Sequence, residues 1–447
     1  MSLDNKTIFV GPQEIAGFLS RSAQALADEG ATVIAFKQTH TKQHPKRIQH
    51  PKIHWLFADT IEKVSSAPAF IRSIGQFFLK LFVLVTSIAK ADACLFIGGK
   101  GLYNFPIDYY LLRLFGKRVV HMYVGTASRP RYLSAYAKQA LDSDEHTANR
   151  FIQKLIKRTR RQRARVQSTS LAASCVIENP LCGHFQTRPF VNYFQIGMPI
   201  QMNPDATVPG SQTNTRKTRI LHCPSRPEIK GTQRILDVLN PETLERLNAE
   251  LIVLTGVPHS RVLEEIQRCD FVVDQLYSDS PLAGFAAEAA SFQRVPIVGG
   301  YGWDAIQLTM SADKIPPAKL CHPNNLLEAV EELCEDIRQR KQLTEDLQNF
   351  LTQGEWSGKA FANKLGCVLT DAIPQDWFVD PHTVSYKQGV GLSEQDAMEI
   401  ARRMSEIGGI ESLQLVDKPE LESSYRNWLK ETNKLTRTYA AGRQVPL

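Results

Sequence analysis

The sequence predicts an α/β fold built on parallel sheets, and three observations support this prediction. Short β-rich runs alternate with helical stretches between residues 219 and 301, as they do in βαβ units. The candidate polar residues in this segment follow strands or open helices, which is the sheet edge where open α/β sheets bind ligands. The first half of the chain repeats the same alternation more weakly.

The most informative turn in residues 219–301 follows the first predicted strand of that segment. The four strands are expected at Arg219–Cys223, Glu250–Thr255, Phe271–Asp274 and Val295–Val298. Arg226 and Lys230 flank the expected start of a helix at Gly231 and Thr232. Free backbone N–H groups and the positive end of the helix dipole would face the same point. A guanidinium and an ammonium group there suit phosphate oxygens, and the alternative is an ordinary solvated loop.

A resemblance to a known family rests on five blocks in this segment. They are His222 to Thr232, Gly256 to His259, Asp274-Gln275, Glu288-Ala289 and Pro296-Ile297. In this order they resemble the nucleotide-binding half of the glycosyltransferase group 1 family. The resemblance implies a GT-B architecture, in which two Rossmann-like domains with parallel sheets face a cleft that holds a nucleotide-sugar donor.

The resemblance also implies roles for individual residues. Arg226, Lys230, Gly231 and Thr232 would bind the donor phosphates. Glu288 would accept hydrogen bonds from the ribose, although a lone helix glutamate could equally be a surface residue. The remaining expected contacts to the nucleotide are Gly256, Val257 and Asp274.

The first half of the chain shows a weaker form of the same pattern. The predicted strand Thr7–Val10 leads into a turn, Ala93–Ile97 ends in a glycine pair, and a third strand begins after Gly116. Glycines at such points let the backbone approach a ligand. The expected cleft residues are Gly11, Gly98, Gly99, Gly125 and Arg129.

Two candidate catalytic residues come from departures from the family pattern. Many family members carry two glutamates eight positions apart, and the earlier position is Ser280 here, with Asp279 one residue out of register. In the first half, Ala127 replaces an aspartate, and His121 is the histidine left on its strand. A shift of one residue turns a strand side chain to the opposite face. The residues that would contact the donor sugar therefore differ from the family pattern.

The expected organisation is two domains and an extension. Residues 1–201 would form an N-terminal Rossmann-like domain on the acceptor side, and residues 202–218 a linker rich in Pro, Asn, Thr and Gly. Residues 219–371 would form the nucleotide-sugar domain, including one long helix from Leu326 to Leu351. Residues 372–447 are predicted as a helical extension that braces the domains.

Charge is divided unevenly between the halves. Residues 1–200 carry a net charge of +15 and residues 201–447 carry −8. Two basic segments, Lys37 to Lys52 and Lys154 to Arg165, contribute to this asymmetry. It favours an anionic glycan, a lipid-linked acceptor or a membrane surface as partner, against the alternative of solvated faces. Nucleic acid is not expected, because basic residues are not interleaved with aromatic ones.

Residues Ile71 to Ile88 are strongly apolar. Their uninterrupted run, Leu81 to Val85, is far below the roughly 18 residues that span a bilayer. The pattern predicts either a helix buried against the first sheet or an interfacial helix at a membrane.

Composition predicts a cytoplasmic protein, with peripheral membrane contact as a further option. The eight cysteines are scattered without zinc-ligand spacing, and the N-terminus has no apolar signal region. We expect no cofactor beyond the sugar nucleotide as substrate. No required metal is expected either, because two cations can neutralise a diphosphate and no D-x-D pair lies at a suitable place.

The predicted function is transfer of a sugar from a nucleotide donor to a glycan or lipid-linked acceptor, with retention at the anomeric carbon implied by the resemblance. Two alternatives stay open. The altered sugar side fits a catalytically silent sugar-nucleotide-binding or assembly subunit. Another enzyme of the same architecture, such as a sugar-nucleotide epimerase, also fits.

Overall fold

The computed structural model describes residues 3–38, 48–57, 68–203 and 216–441, with side chains described up to residue 430. Most of the predicted linker, residues 202–218, lies outside these ranges. His40 and His44 of the predicted basic segment Lys37 to Lys52 also lie outside them.

The strands and helices follow one another in the alternation that the sequence predicts. The strands are β1 Thr7–Pro12, β2 Thr32–Phe36, β3 Ile53–Leu56, β4 Ala93–Ile97, β5 Arg118–Met122, β6 Cys175–Glu178, β7 Phe190–Asn192, β8 Thr218–His222, β9 Ala249–Val253, β10 Phe271–Val273, β11 Val295–Gly299, β12 Lys319–Cys321 and β13 Phe378–Val379. The helices are α1 Phe18–Asp28, α2 Ala69–Lys90, α3 Ile107–Leu114, α4 Glu145–Ala172, α5 Tyr193–Ile196, α6 Pro227–Lys230, α7 Thr232–Val238, α8 Pro241–Arg246, α9 His259–Arg268, α10 Gly284–Ser291, α11 Trp303–Gln307, α12 Leu326–Glu335, α13 Ile337–Thr352, α14 Gly358–Leu369, α15 Glu394–Gly408 and α16 Pro419–Ala441.

The first sheet has the strand order β13-β7-β6-β5-β4-β1-β2-β3 among the described residues. Its strands run parallel except for β13, which pairs antiparallel with β7. Every residue of β4 is buried, as expected for a central strand covered on both faces. One face packs against α1 and α14, and the other packs against α2, α3 and α4.

The second sheet has the order β12-β11-β10-β8-β9, and all its described pairs are parallel. The chain reverses its direction across the sheet between β8 and β10, which is the position where doubly wound sheets bind ligands. Two parallel sheets with helices on both faces confirm the predicted fold class.

The C-terminal part of the chain returns to the first sheet. The rings of Phe18 on α1 and Phe361 on α14 lie 6.1 Å apart, and β13 adds an edge strand. Helix α15 packs against α4, and α16 packs against α15. The extension is helical as predicted, and it braces the first sheet in particular.

A short segment before α15 also connects the two halves. The N–H of Val390 donates to the carbonyl of Leu133 in the first half, at 3.1 Å. The next residue, Gly391, donates its N–H to the carbonyl of Tyr277 in the second half, at 3.0 Å. The extension therefore contacts both sides of the cleft.

Two sequence-based expectations about helices are wrong. The predicted single helix from Leu326 to Leu351 is two helices, α12 and α13, separated at Asp336. The Asp336 carboxylate accepts hydrogen bonds from the N–H groups of Arg338 and Gln339, so it caps α13. The apolar stretch Ile71 to Ile88 is not a buried helix, because α2 buries only Val83, Leu84 and Ser87.

Candidate functional site

The loop after β8 carries the predicted phosphate-binding residues. Instead of one helix that opens at Gly231, the structure has the four-residue α6 and then α7, which begins at Thr232. Gly231 separates them with a φ of 72°. A Cβ on Gly231 would lie 2.9 Å from Leu276 Cβ, so both the backbone conformation and the space require glycine.

Lys230 is held at the point where the second sheet changes direction. Its Nζ lies 2.5 Å from Oδ1 of Asp274, which directly follows β10 and is completely buried. The other carboxylate oxygen, Oδ2, has no hydrogen-bond partner among the described residues. A buried carboxylate needs compensation, and Lys230 supplies it here. Lys230 and Asp274, both predicted site residues, are thus brought together.

Thr232 serves the packing of this loop. His222 at the end of β8 is buried, and its Nδ1 lies 2.8 Å from the carbonyl oxygen of Val273. A carbonyl can only accept, so Nδ1 carries the proton and Nε2 accepts from the Thr232 hydroxyl at 2.8 Å. Burial lowers the pKa of His222, which agrees with a neutral ring. The Thr232 hydroxyl is therefore already engaged by the protein.

Arg226 differs from Lys230 in being exposed. It lies directly before α6, and its guanidinium makes no hydrogen bond or ion pair within the described part of the chain. An exposed guanidinium at a sheet edge is available to a ligand. Arg226 and Lys230 thus provide one free and one paired cation on the same loop.

Two further blocks of the resemblance, Gly256 to His259 and Glu288-Ala289, lie next to each other in the structure. His259 at the start of α9 places its Nε2 2.6 Å from Oε1 of Glu288 on α10. Both side chains reach solvent, with 67% and 29% of their surfaces exposed. Gly256 and Val257 lie in the loop that leads to His259. The structure therefore brings together the predicted nucleotide-binding block and the predicted ribose-binding glutamate.

A cavity of about 200 Å³ lies between the two sheets. It contains three predicted site residues, Gly125, Arg129 and Ser280. The first half contributes Ile15, Ala16, Phe18, Arg21, Tyr123, Val124, Gly125, Arg129, Glu178, Asn179, Tyr193 and Met198, and the second half contributes Asp279, Ser280, Ala283 and Gly284. Both halves of the protein thus form its wall.

A buried ion pair crosses this cavity. Asp279 Oδ2 accepts hydrogen bonds from Nη2 and, at 2.8 Å, from Nε of Arg129, and both side chains are less than 10% exposed. The Cys182 thiol lies 3.1 Å from the same oxygen, and Asn179 Nδ2 donates to the Asp279 carbonyl at 2.9 Å. Burial lowers the pKa of Arg129, but Asp279 outweighs this and the pKa is raised overall. Asp279, which stands one residue before the position of the family's first glutamate, therefore joins the two halves of the chain.

A second buried acid, Glu178, lines the first-half wall. Its carboxylate accepts hydrogen bonds from the Ser128 hydroxyl, the Asn179 N–H and the Gln186 amide. Burial raises the pKa of Glu178 to about 8, and the hydrogen bonds only partly offset this rise. Such a group holds a proton at neutral pH, which is a property that general acids require.

His121 lies away from the cavity. It is completely buried, with Nε2 2.9 Å from the Gly98 carbonyl oxygen and Nδ1 2.6 Å from the Tyr109 hydroxyl. Burial lowers its pKa to about 3. On β5 the neighbouring Met122 packs with the opposite core, because successive strand residues point to opposite faces. The position of His121 in this conformation therefore gives no support to a catalytic role, whereas Ser280 does line the cavity.

The remaining predicted cleft residues shape the edge of the first sheet. Gly99 donates its N–H to Oε1 of Gln13 at 2.8 Å, which joins the loops after β4 and β1. Its neighbour Gly98 has a φ of 113°. Gly11 lies within β1, where a Cβ would be 2.7 Å from the Phe36 carbonyl oxygen. These glycines allow close packing of neighbouring strands and loops.

Arg21 on α1 is a site residue that sequence reasoning missed. It lines the cavity, and its Nη2 donates to the Ala16 carbonyl at 3.0 Å. Burial lowers its pKa, and the nearby carboxylates of Glu14 and Glu288 oppose this. Because Glu288 belongs to the second half, Arg21 brings positive charge to the predicted ribose site across the cleft. The amphipathic pattern of α1 predicts which face packs on the first sheet, but it cannot show that Arg21 faces the second half of the chain.

Within the described ranges, no group of three or more His, Cys, Asp or Glu side chains has an arrangement that could hold a metal ion. All eight cysteines are free thiols. The absence of a required metal stays a prediction.

Several solved structures resemble the chain over most of its length, at identities of 10 to 14%. WaaG, a glycosyltransferase involved in lipopolysaccharide biosynthesis, shares 14% identity at a TM-score of 0.46, with 81% of this chain and 99% of WaaG covered. The catalytic domain of starch synthase IV from Arabidopsis thaliana, bound to ADP and acarbose, shares 11% identity at 0.49, with 83% and 99% covered. A UDP-forming trehalose-phosphate synthase from Burkholderia xenovorans, in complex with glucose-6-phosphate, shares 10% identity at 0.47, with 82% and 100% covered.

No protein-family model matches the sequence, and no curated protein does. The functional proposal therefore rests on the residues of the site.

Proposed function

We propose that the protein is a glycosyltransferase that takes a sugar from a nucleoside-diphosphate donor. The observation that carries this proposal is the grouping of Arg226, Lys230, His259 and Glu288 around the direction change of the second sheet, on the loop after β8 and on helices α6, α9 and α10. A diphosphate requires cations, and a ribose diol requires a hydrogen-bond acceptor. These four side chains provide both, next to a cavity that the first half closes.

The chemistry follows from the growth of charge on the leaving group. When the bond between the sugar and the diphosphate breaks, negative charge increases on the phosphate oxygens. Preorganised cations stabilise that charge in the transition state. Arg226 is free to contact a phosphate, and Lys230 can contact one while it keeps its ion pair with Asp274. We propose that these two cations make a divalent metal unnecessary and that the reaction retains the anomeric configuration.

The acceptor is proposed to be an anionic glycan or a lipid-linked molecule. It would enter from the first half, which carries a net charge of +15 over residues 1–200. Arg21 is a cation in the cavity wall on that side. Glu178 is a protonated acid in the same wall at neutral pH.

A second candidate is a sugar-nucleotide-binding subunit without transfer activity. The observation that favours it is the ion pair between Asp279 and Arg129, which leaves Ser280 as the polar side chain where the family carries a glutamate. Both candidates predict nucleotide binding. Donor turnover separates them, because a subunit without activity binds the donor and releases no nucleoside diphosphate.

The first experiment identifies the donor by thermal shift with UDP-, GDP-, ADP- and CMP-sugars. We expect one nucleotide class to stabilise the protein, by about 2.7 kcal/mol at a hundred times its Kd. With that nucleotide, Arg226→Ala and Lys230→Ala should each weaken binding by about 1.5–3 kcal/mol, the range for hydrogen bonds to charged groups. Arg234→Ala, an exposed arginine on α7, is the matched control and should bind normally.

Lys230→Ala needs one further control, because it leaves Asp274 buried without its partner. The double variant Lys230→Ala, Asp274→Asn removes that charge and should still bind weakly. If no sugar nucleotide stabilises the wild-type protein, or if Arg226→Ala and the double variant bind as tightly as wild type, the proposed donor site is wrong.

A further inference from the structure

The exposed apolar side chains of this protein are concentrated in one region. Of twenty large hydrophobic residues that are exposed in the described part of the chain, thirteen lie between residues 70 and 115. They belong to α2, α3 and the residues that flank α3. We call them the apolar face: Phe70, Ile71, Ile74, Phe77, Phe78, Leu81, Phe82, Val85, Phe105, Ile107, Tyr110, Leu114 and Phe115.

Helix α2 has two apolar stripes. The inner stripe includes Val83 and Leu84, which are buried against the first sheet. The outer stripe recurs every three or four residues and points to solvent, with Phe70 77% exposed and Phe78 62% exposed. A solvated helix normally carries polar residues on its outer side. Contiguous apolar patches of this kind mark interaction sites.

By length and composition alone, α2 could cross a membrane. Its place in the fold argues against this arrangement. The helix lies between β3 and β4 in the chain, and both strands belong to the same parallel sheet. A crossing helix would put the end of β3 and the start of β4 on opposite sides of a bilayer. The arrangement compatible with the sheet is a helix that lies along a surface, with its inner stripe on the protein.

The charge around the apolar face has one dominant sign. Residues 68–118 contain seven lysines and arginines and two acidic residues. One acid, Asp108, is completely buried and accepts a hydrogen bond from the Leu102 N–H. The basic helix α4 lies on the same face of the sheet, with Lys157 and Arg161 exposed. An apolar stripe bordered by cations is complementary to anionic headgroups above an acyl-chain layer.

We propose that the apolar face is a docking surface for an anionic lipid bilayer, on which α2 and α3 lie in the plane of the membrane. The phenylalanines of the outer stripe enter the boundary between headgroups and acyl chains. Arg72, Lys90 and the cations of α4 contact the headgroups. This proposal does not depend on the proposed function, because it uses none of the residues of the donor site.

The test is flotation of the full-length protein with vesicles of phosphatidylcholine alone or of phosphatidylcholine mixed with phosphatidylglycerol, which gives the vesicles a negative surface potential. We expect binding to the anionic vesicles and weaker binding at 1 M salt, where the screening length falls to about 3 Å. Phe70→Glu with Phe78→Glu should reduce the binding constant about tenfold or more, because burial of two phenylalanines is lost.

The matched control is Leu308→Glu with Val416→Glu, which changes two side chains that are 87% and 73% exposed outside the apolar face. This variant should bind vesicles like wild type. Far-UV circular dichroism and thermal unfolding in the absence of ligand, both like wild type, would show that the two variants are folded.

Three results would overturn the proposal. The first is no binding of wild type to anionic vesicles, and the second is binding that Phe70→Glu with Phe78→Glu leaves unchanged. The third is a dimer without lipid, seen by analytical ultracentrifugation, that this double variant dissociates while vesicle binding is absent. That result would assign the apolar face to a second copy of the chain.

Discussion

The two sides of the cleft hold their charged groups in different ways. On the second-sheet side, Arg226 is exposed, and His259 and Glu288 reach solvent. On the first-sheet side, Arg129 and Glu178 are buried and satisfied by the protein. Groups that bind a charged ligand must be able to reach it, whereas groups that hold domains together must be compensated without it. The comparison assigns ligand capture to the first set and closure of the cleft to Arg129, whose partner Asp279 lies in the second half, while Glu178 is satisfied within the first half.

The largest expected effect comes from breaking the ion pair that joins the halves. Arg129→Ala leaves Asp279 buried without its main partner, and loss of one member of a buried pair costs about 3–5 kcal/mol. Urea unfolding should show this loss in the absence of any ligand. Asp279→Asn is expected to destabilise for the same reason.

A double variant sharpens this prediction. Arg129→Met with Asp279→Leu replaces both charges by apolar groups, which is often neutral. It should recover most of the stability that Arg129→Ala loses. If Arg129→Ala unfolds at the same urea concentration as wild type, the pair does not hold the cleft closed.

Glu178 should make stability depend on pH. Burial raises its folded-state pKa from 4.5 to about 8, so the folded protein keeps a proton that the unfolded chain releases. Between these values the stability contributed by this group falls as pH rises, by at most about 1.4 kcal/mol per pH unit. Below pH 4.5 both states are protonated, and above pH 8 both are ionised, so the contribution is then constant.

Glu178→Gln removes this dependence. The free energy of unfolding of the variant minus that of wild type should increase from pH 5 to about pH 8 and then level off. Gln153→Ala, which changes an exposed side chain on α4 without a titratable group, should show a difference that does not change with pH. A flat difference for Glu178→Gln would mean that Glu178 is ionised in the folded protein.

A smaller effect is expected on the exposed side. His259→Ala removes the group that orients the Glu288 carboxylate, and both side chains reach solvent. Sugar-nucleotide binding should weaken by about 0.5–1.5 kcal/mol, as for one hydrogen bond, without a change in the stability of the free protein. Calorimetry with the donor identified by thermal shift measures this. Equal affinity in wild type and variant would place the ribose elsewhere.

The smallest expected effect is that of chelation. If Arg226 and Lys230 neutralise the diphosphate, EDTA should leave donor turnover unchanged. Loss of turnover that magnesium or manganese restores would show that these two cations are not sufficient.

The comparison also explains what the sequence could predict. Arg226 and Lys230 could be selected because they follow β8 in a local pattern of strand, turn and helix, whereas Glu288, inside α10, could be selected only through the order of the family's blocks. The ion pair between Arg129 and Asp279 joins positions 150 residues apart, and no local pattern encodes it. Asp279 could be recognised as out of register with the family, but its partner could not be identified.

The exposure of α2 and the position of His121 could not be predicted from the sequence, because both depend on what surrounds these residues in the fold. The apolar sequence of α2 is the same whether its outer stripe meets protein or solvent, so composition alone could not distinguish a buried helix from an exposed one. His121 shares β5 with Met122, and the alternation of side chains along that strand decides which of them packs on which core. Without the strand's orientation in the sheet, a histidine near a glycine turn could not be separated from a site residue.

The return of β13 to the first sheet has a consequence for synthesis of the protein on the ribosome. Seven strands of that sheet are complete once residue 192 has been translated, but the strand that pairs with β7 is Phe378–Val379. Until those residues emerge, β7 presents an unpaired edge, and unpaired edges promote association between chains. The whole second sheet is translated during that interval. The domain that is made first is therefore completed last, and its edge is exposed to misassembly for about two-fifths of the time needed to make the chain.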